Sequence, residues 1–225
     1  MPVHREVNRD FFKHWSSEMA YILGLFMADG NLTINNRGNC YISFHLSDKE
    51  LLVLIRQIMG STHRIAKKTL NSGRVFRLQI GSKELTNGLI RLGLGPGKTN
   101  RLKLPLIPEQ YFGDFIRGYF DGDGNVWVGE TNKDRRLPTK VIQISLTSGC
   151  NEFLKDLLKE LRKNGVSGGS FFRVKNKNCF RLSFSTVDVL KIYKIMYNSS
   201  SSLFLERKKN VLENFFQHRT NAGVV

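Results

Sequence analysis

The sequence predicts an α+β fold of two pseudo-symmetric αββαββα repeats, each with a curved antiparallel sheet, packed together through one helix from each repeat. Three observations carry that prediction. One pattern occurs twice, as Gly24-Leu25-Phe26-Met27-Ala28-Asp29-Gly30-Asn31 and as Gly118-Tyr119-Phe120-Asp121-Gly122-Asp123-Gly124-Asn125, and each copy ends an apolar helical stretch with Asp-Gly. Segments of strand-like alternation follow each copy in the same order. Between the strand pairs lie segments with a single apolar stripe at helical spacing.

Taken in order, residues 1–17 read as an N-terminal lead-in and residues 18–94 as the first repeat. Beyond Asp29-Gly30, Leu32 and Ile34 mark one strand and Ile42, Phe44 and Leu46 the next, with polar neighbours between them. Leu51, Leu52, Ile55, Ile58 and Met59 then keep helical spacing, and Phe76, Leu78 and Ile80 return to alternation. Gly95-Pro96-Gly97 through Pro105 and Pro108 cannot continue a helix, so residues 95–110 read as a compact linker. The second repeat, residues 111–225, restates the order with Val126 and Val128, then Ile142, Ile144 and Leu146. Its stripe is Phe153, Leu154, Leu157, Leu158 and Leu161, and its last strand Phe180, Leu182 and Phe184. Ser199 to Ser202 reads as a loop or helix boundary.

Equivalent positions lie further apart along the chain, from Asp29 and Asp123 through Ile42 and Ile142 to Phe76 and Phe180, so the second repeat carries insertions. Part falls in its first hairpin, where Gly129 to Lys140 is long and basic while Asn35 to Asn39 is short. Lengthening a hairpin tip costs little entropy, which suits such a loop to extended contact along a duplex.

Gly24 with Ala28, and Gly118 with Gly122, stand four apart on one helical face, so the two helix backbones can cross closely. The crossing would set Asp29 and Asp123 side by side. Two carboxylates in a basic protein can hold a divalent metal, most simply Mg²⁺, which keeps several waters and accepts phosphate oxygens. One Asp-Gly alone is also ordinary helix-ending and turn chemistry. Its recurrence after two equivalent helices argues for a site.

With 225 residues and 40% hydrophobic content, the chain can bury a core as one large domain or two small ones, and the repetition favours two. A formal charge of +16 bears on partners rather than fold, and points to nucleic acid. No apolar run is long enough to span a bilayer, and no isolated basic amphipathic segment suggests a membrane surface. Met1-Pro2-Val3-His4-Arg5-Glu6 lacks the apolar core of a secretory signal. An intracellular location is expected, in a bacterial or archaeal cytoplasm or nucleoid, or in an organelle matrix. Cys40, Cys150 and Cys179 are widely spaced and lack CxxC pairing, so reduced, partly buried thiols are expected.

The two copies, Ile22 to Gly30 and Ile116 to Gly124, resemble the signature helices of the LAGLIDADG homing endonucleases, in the single-chain form that carries both. The resemblance runs from the Phe11-Phe12-Lys13-His14-Trp15 lead-in to Leu205-Glu206-Arg207-Lys208-Lys209. It implies a monomer that makes a double-strand break in a long asymmetric DNA target by metal-dependent phosphodiester hydrolysis, in the setting of intron homing. The catalytic acid of each copy is the penultimate residue, here Asp29 and Asp123, with Ala28 and Gly122 beside them in the metal site. Met27 departs from the acid common two positions earlier, whereas Asp121 matches it. Lys98 and Lys208 fall where the resemblance places basic residues that position water and offset phosphate charge. Mg²⁺ is the implied cofactor, with Mn²⁺ as a substitute and Ca²⁺ supporting binding without cleavage.

If the apolar strand positions face the helices, the opposite face carries Thr33, Tyr41, Ser43, His45, Arg77 and Gln79 in the first repeat. The second carries Trp127, Gln143, Ser145, Thr147, Arg173, Lys175, Arg181 and Ser183, and its long hairpin adds Lys133 and Arg135. Arg pairs with guanine and Gln with adenine in the major groove, which a curved antiparallel sheet fits as a β-ribbon does. A polar outer face is also normal for such a sheet. The charge and the paired motifs tip the reading to double-stranded DNA.

Gly93-Leu94-Gly95-Pro96-Gly97-Lys98-Thr99 superficially matches a phosphate-binding loop, but Leu92 occupies the slot of its first glycine and two prolines follow where a helix is needed. His4, His14, His45, His63 and His218 are scattered without ligand spacing. The rival from another class is an intron maturase, with intron RNA as partner, or a non-cleaving nucleic-acid-binding protein on the same scaffold. Two carboxylates facing phosphate would repel DNA unless metal is bound, which argues against a binding-only form. An intein endonuclease domain is disfavoured because splicing segments are not recognised, so the chain reads as free-standing.

Overall fold

The computed structural model describes residues 5–70, 73–97, 102–131, 139–175, 177–198 and 201–221. The first half runs α1 (Ser17–Asp29), β1 (Gly30–Ile34), β2 (Cys40–Leu46), α2 (Lys49–Ile58), β3 (Ile65–Leu70), β4 (Gly73–Gly81) and α3 (Lys83–Arg91). The second repeats the order as α4 (Glu109–Asp123), β5 (Gly124–Thr131), β6 (Thr139–Ser148), α5 (Asn151–Lys163), β7 (Ser170–Arg173), β8 (Phe180–Ser185) and α6 (Thr186–Met196). It then adds α7 (Glu206–Asn221), beyond the expected αββαββα order.

Local chemistry fixes the helix starts. The Ser16 hydroxyl accepts from the Met19 N–H at the head of α1, Asp48 from Leu51 at α2, and Ser82 from Leu85 at α3. Helix α1 is buried continuously from Met19 to Met27, as a helix apolar on every side must be. In α5 only Phe153, Leu154, Leu157 and Leu161 are buried, and Lys155, Lys159 and Lys163 pair outside with acids three residues earlier.

The strands form two four-stranded antiparallel sheets of one topology, β1-β2-β4-β3 and β5-β6-β8-β7. Phe44 stands opposite Leu78 and Ile42 opposite Ile80; Leu146 opposite Leu182 and Ile144 opposite Phe184 repeat the arrangement. These residues turn one face of each sheet into the core, which runs through both halves and surrounds α1 and α4. Each motif helix passes into its strand without a loop. Gly30 and Gly124 have extended backbones, with φ of −80° and −85°, so the left-handed conformation of a helix-ending glycine is not the reason for them. A Cβ on either would overlap the ring or carbonyl of Phe26 or Phe120, and that crowding requires glycine. All three cysteines are free thiols, with Cys150 buried.

Candidate active site

The site lies where α1 and α4 end together. A Cβ on Gly24 would overlap the Phe115 carbonyl oxygen, and one on Gly118 that of Tyr21, so the helices cross backbone against backbone. At their ends a Cβ on Gly122 would overlap the Ala28 methyl and stand 3.3 Å from Asp29 Oδ2. The absence of a side chain at Gly122 lets the two helix ends pack together beside the Asp29 carboxylate.

Asp29 and Asp123 are both half-buried. Both act on the same two groups. The Tyr119 phenol is pushed well up by burial, then by Asp123 and by Asp29, and it donates to the Thr147 carbonyl at 2.7 Å. Burial pulls the Lys208 ammonium down to about 8, while Asp121, Asp29 and Asp123 favour its charge. The donors gathered at the helix ends are carboxylate oxygens and last-turn carbonyls, which suit a hard cation such as Mg²⁺. Among the described residues no three His, Cys, Asp or Glu side chains converge, so such an ion would draw its other ligands from water and phosphate.

Lys208 is held at the end of α4 by its backbone carbonyls. Its Nζ donates to the carbonyls of Phe120 at 2.6 Å, Asp121 at 2.8 Å and Gly124 at 2.6 Å. Three ammonium hydrogens are thereby engaged, and the lysine, 5% exposed, caps the end of α4. Its charge still acts on both aspartates. Lys98 lies outside the described residues, as do Lys133 and Arg135.

Asp121 completes this latch from the other side. Its Oδ2 accepts from the Tyr21 hydroxyl at 2.7 Å and from the Leu205 N–H, just before α7, at 2.8 Å. Burial raises its carboxyl to about 6, against the lowering effect of those two bonds, Lys208 and Arg117. Arg117, 1% exposed, pairs with Asp114, donates to the carbonyls of Leu203 and Met196, and lies over the rings of Tyr21 and Tyr197. Met27 occupies the equivalent place in the first motif, so this polar arrangement belongs to the second half alone.

The register settles which residues share the outer faces. In the first sheet Thr33 is opposite Tyr41, Ser43 opposite Gln79, and His45 opposite Arg77. Partial burial, then Arg77 and Lys68, lower the pKa of His45, which hydrogen-bonds Ser43 at 3.2 Å. In the second sheet Trp127 is opposite Gln143, Ser145 opposite Ser183, and Thr147 opposite Arg181. Ser43 and Ser145 do lie on these faces, but at 7% and 8% exposure they form the floor beneath larger neighbours.

Arg173 is a correction. Phe172 pairs with Arg181 and so takes the outer face, which puts Arg173, opposite Phe180, on the helix side of β7. Arg181 lies over the exposed Phe172 ring. Lys175 lies in the turn after β7 rather than on a strand. Asn31 and Asn125, opposite Ser43 and Ser145, are outer-face residues that the alternation around Leu32 and Val126 could have revealed. Lys68 could not be found that way, because Ile65–Leu70 has no clear period.

Comparison with known proteins agrees with this geometry. The family described as LAGLIDADG-like domain matches residues 16–88 and 113–178. An uncharacterised protein of Methanocaldococcus jannaschii is 24% identical over 90% of the chain and 74% of its own length. The replication factor C small subunit of the same organism is 23% identical over 68% of the chain, which spans only 8% of that protein. Among solved structures, the LAGLIDADG meganuclease I-AabMI bound to uncleaved DNA superposes with a TM-score of 0.64 at 14% identity, covering 93% of this chain and 92% of that one. The I-SmaMI homing endonuclease bound to cleaved DNA gives 0.63 at 13%, covering 91% and 88%. I-DmoI in complex with DNA and Mn gives 0.54 at 14%, covering 80% and 97%. These structural likenesses are of fold. Among the described residues no helix is long and apolar enough to cross a membrane.

Proposed function

The chain belongs to the LAGLIDADG-like domain family, and from that premise we propose that it is a site-specific endonuclease that cuts both strands of a long DNA duplex. What supports the proposal is that Asp29 and Asp123 end two tightly crossed helices and both act on the Tyr119 phenol and the Lys208 ammonium. Their carboxylates, with Ala28 and Gly122 beside them, would hold Mg²⁺, and Mn²⁺ would serve in its place. When bound, the ion lowers the pKa of a water and stabilises charge on the leaving oxygen. The protein's own part is to present the two carboxylates at the ends of the crossed helices and to fix the Asp123 turn through Lys208.

The outer faces differ between the halves, with His45, Arg77 and Lys68 on one and Trp127, Phe172 and Arg181 on the other. That difference supports an asymmetric target read by a single chain in the major groove. Lys175 and the hairpin residues Lys133 and Arg135 would add contacts to the backbone.

The test is capture of long random duplexes in Ca²⁺, exchange into Mg²⁺, and sequencing of new ends. Paired cuts at one shared motif support the proposal. Capture without cutting under Mg²⁺ or Mn²⁺ overturns the enzymatic reading in favour of a binding protein or a maturase of intron RNA.

A further inference from the structure

Three residues of α4 differ in kind from their counterparts in α1. Matching Gly24 to Gly118 sets Ala20, Leu23 and Met27 against Asp114, Arg117 and Asp121. All six are buried, at 4% exposure or less. The first half fills these places with apolar side chains, and the second fills them with two acids and an arginine.

Stability alone does not require the change. A buried ion pair recovers little more than the cost of taking both charges out of water, and apolar residues of similar volume commonly do as well or better. Ala20 and Leu23 are that apolar solution, in the other helix of the same crossing. The charged residues of α4 are better understood by what they hold.

What they hold is the approach to α7, an element with no counterpart among the described residues of the first half. Arg117 pairs with Asp114, one turn earlier on its own helix. From that position its Nε donates to the Leu203 carbonyl at 2.8 Å and its Nη1 to the Met196 carbonyl. One planar guanidinium thus joins the last residue of α6 to the segment that leads into α7. Asp121 accepts from the Leu205 N–H at 2.8 Å, and both Leu203 and Leu205 are buried. The Leu205 carbonyl in turn accepts from the N–H groups of Lys208, at 3.0 Å, and Lys209, at 3.2 Å, which opens α7. Rings close over the group, with Tyr21 and Tyr197 against Arg117, and Tyr197 and Phe204 against the Lys209 ammonium.

The Lys208 side chain ends on three carbonyls of the Asp123 turn. A flexible lysine stem reaches many places, so meeting three converging acceptors depends on where its backbone starts. We infer that Arg117, held by Asp114, is a positioning residue for the cleavage reaction: it sets the start of α7 and, through Lys208, the turn that presents Asp123. The inference rests on the proposed endonuclease reading and deepens it. At 1% exposure Arg117 is out of reach of DNA, so its effect passes through the protein.

A double-mutant cycle tests this on the duplex that wild type selects in Ca²⁺. One arm, Asp114→Ala/Arg117→Leu, copies the first half; the second is Lys208→Met; the third combines them. The copy is expected to unfold in one cooperative transition and to bind in Ca²⁺ as wild type does. Its single-turnover rate in Mg²⁺ falls about a hundredfold, the effect of a small misplacement. In the Lys208→Met background the same change lowers the rate no further, because the path to Asp123 is already broken. Arg117→Lys keeps the buried charge but loses the fork, and is expected to show the same non-additive loss; it decides the matter if the apolar copy does not fold. Full cleavage by the copy or by Lys208→Met, or losses that multiply in the combined variant, overturn the positioning role. Loss of affinity in Ca²⁺ that matches the loss of rate also overturns it, because a general disturbance of the fold then suffices. Failure of wild type to cut with any divalent metal removes the endonuclease reading itself, and this role with it.

Discussion

Lys208 Nζ stands 2.6 Å from the carbonyl oxygen of Gly124, the residue that follows Asp123. A side chain from α7 thus fixes the turn that presents one of the two acids, and no such contact is needed for DNA to lie on the sheets. Lys208→Met leaves three carbonyls without their donor and lets that turn shift. Cleavage is expected to fall on the order of a hundredfold, the usual effect of a small misplacement, while affinity in Ca²⁺ stays nearly unchanged. Lys208→Arg should not restore it, because a planar guanidinium does not match three converging carbonyls. Single-turnover cleavage and equilibrium binding, measured together, check both expectations.

Asp121 makes stability depend on pH. Its carboxyl is raised from 3.8 to about 6 by burial, so between those values the folded chain keeps a proton that the unfolded chain has released. Its contribution is full below about pH 4 and is lost as pH rises through 6, up to about 3 kcal/mol. Asp121→Asn should flatten that slope. Denaturant unfolding from pH 4.5 to 7.5 measures it.

The helix crossing tolerates no added atom. Gly118→Ala drives a methyl into the Tyr21 carbonyl and should cost about 3 kcal/mol or more in unfolding free energy, with cleavage lost in parallel. Gly95→Ala, where a Cβ would meet nothing within 4 Å, is the control and should be neutral.

The outer face of β4 can be tested one residue at a time. Arg77→Ala is expected to weaken binding of the selected duplex by about 1–3 kcal/mol and to relax preference at one position. Arg173→Ala, on the opposite face of β7, should leave preference intact. Competition binding against single-base variants separates the two.

The parts of this fold legible in the sequence were those set by local period. Alternation at Ile42, Phe44 and Leu46 and at Phe180, Leu182 and Phe184 located strands, and the spacing of Gly24 with Ala28 announced the close crossing. Arg173 was misplaced because β7 has only four residues and two adjacent phenylalanines, so its alternation could not be phased. The tasks of Lys208 and Asp121 were hidden for another reason. Their partners lie 84 to 100 residues away along the chain, beyond the reach of any local pattern. Their positions could be matched to a motif, but what they bond could not.

The most direct test of the central claim is cleavage of the selected duplex by wild type, Asp29→Asn and Asp123→Asn, in Mg²⁺, in Ca²⁺ and in EDTA. The account predicts that both variants bind in Ca²⁺ as wild type does, that neither makes the double-strand break in Mg²⁺, and that wild type is silent in EDTA. Full double-strand cleavage by either variant, or by wild type without a divalent metal, would contradict it.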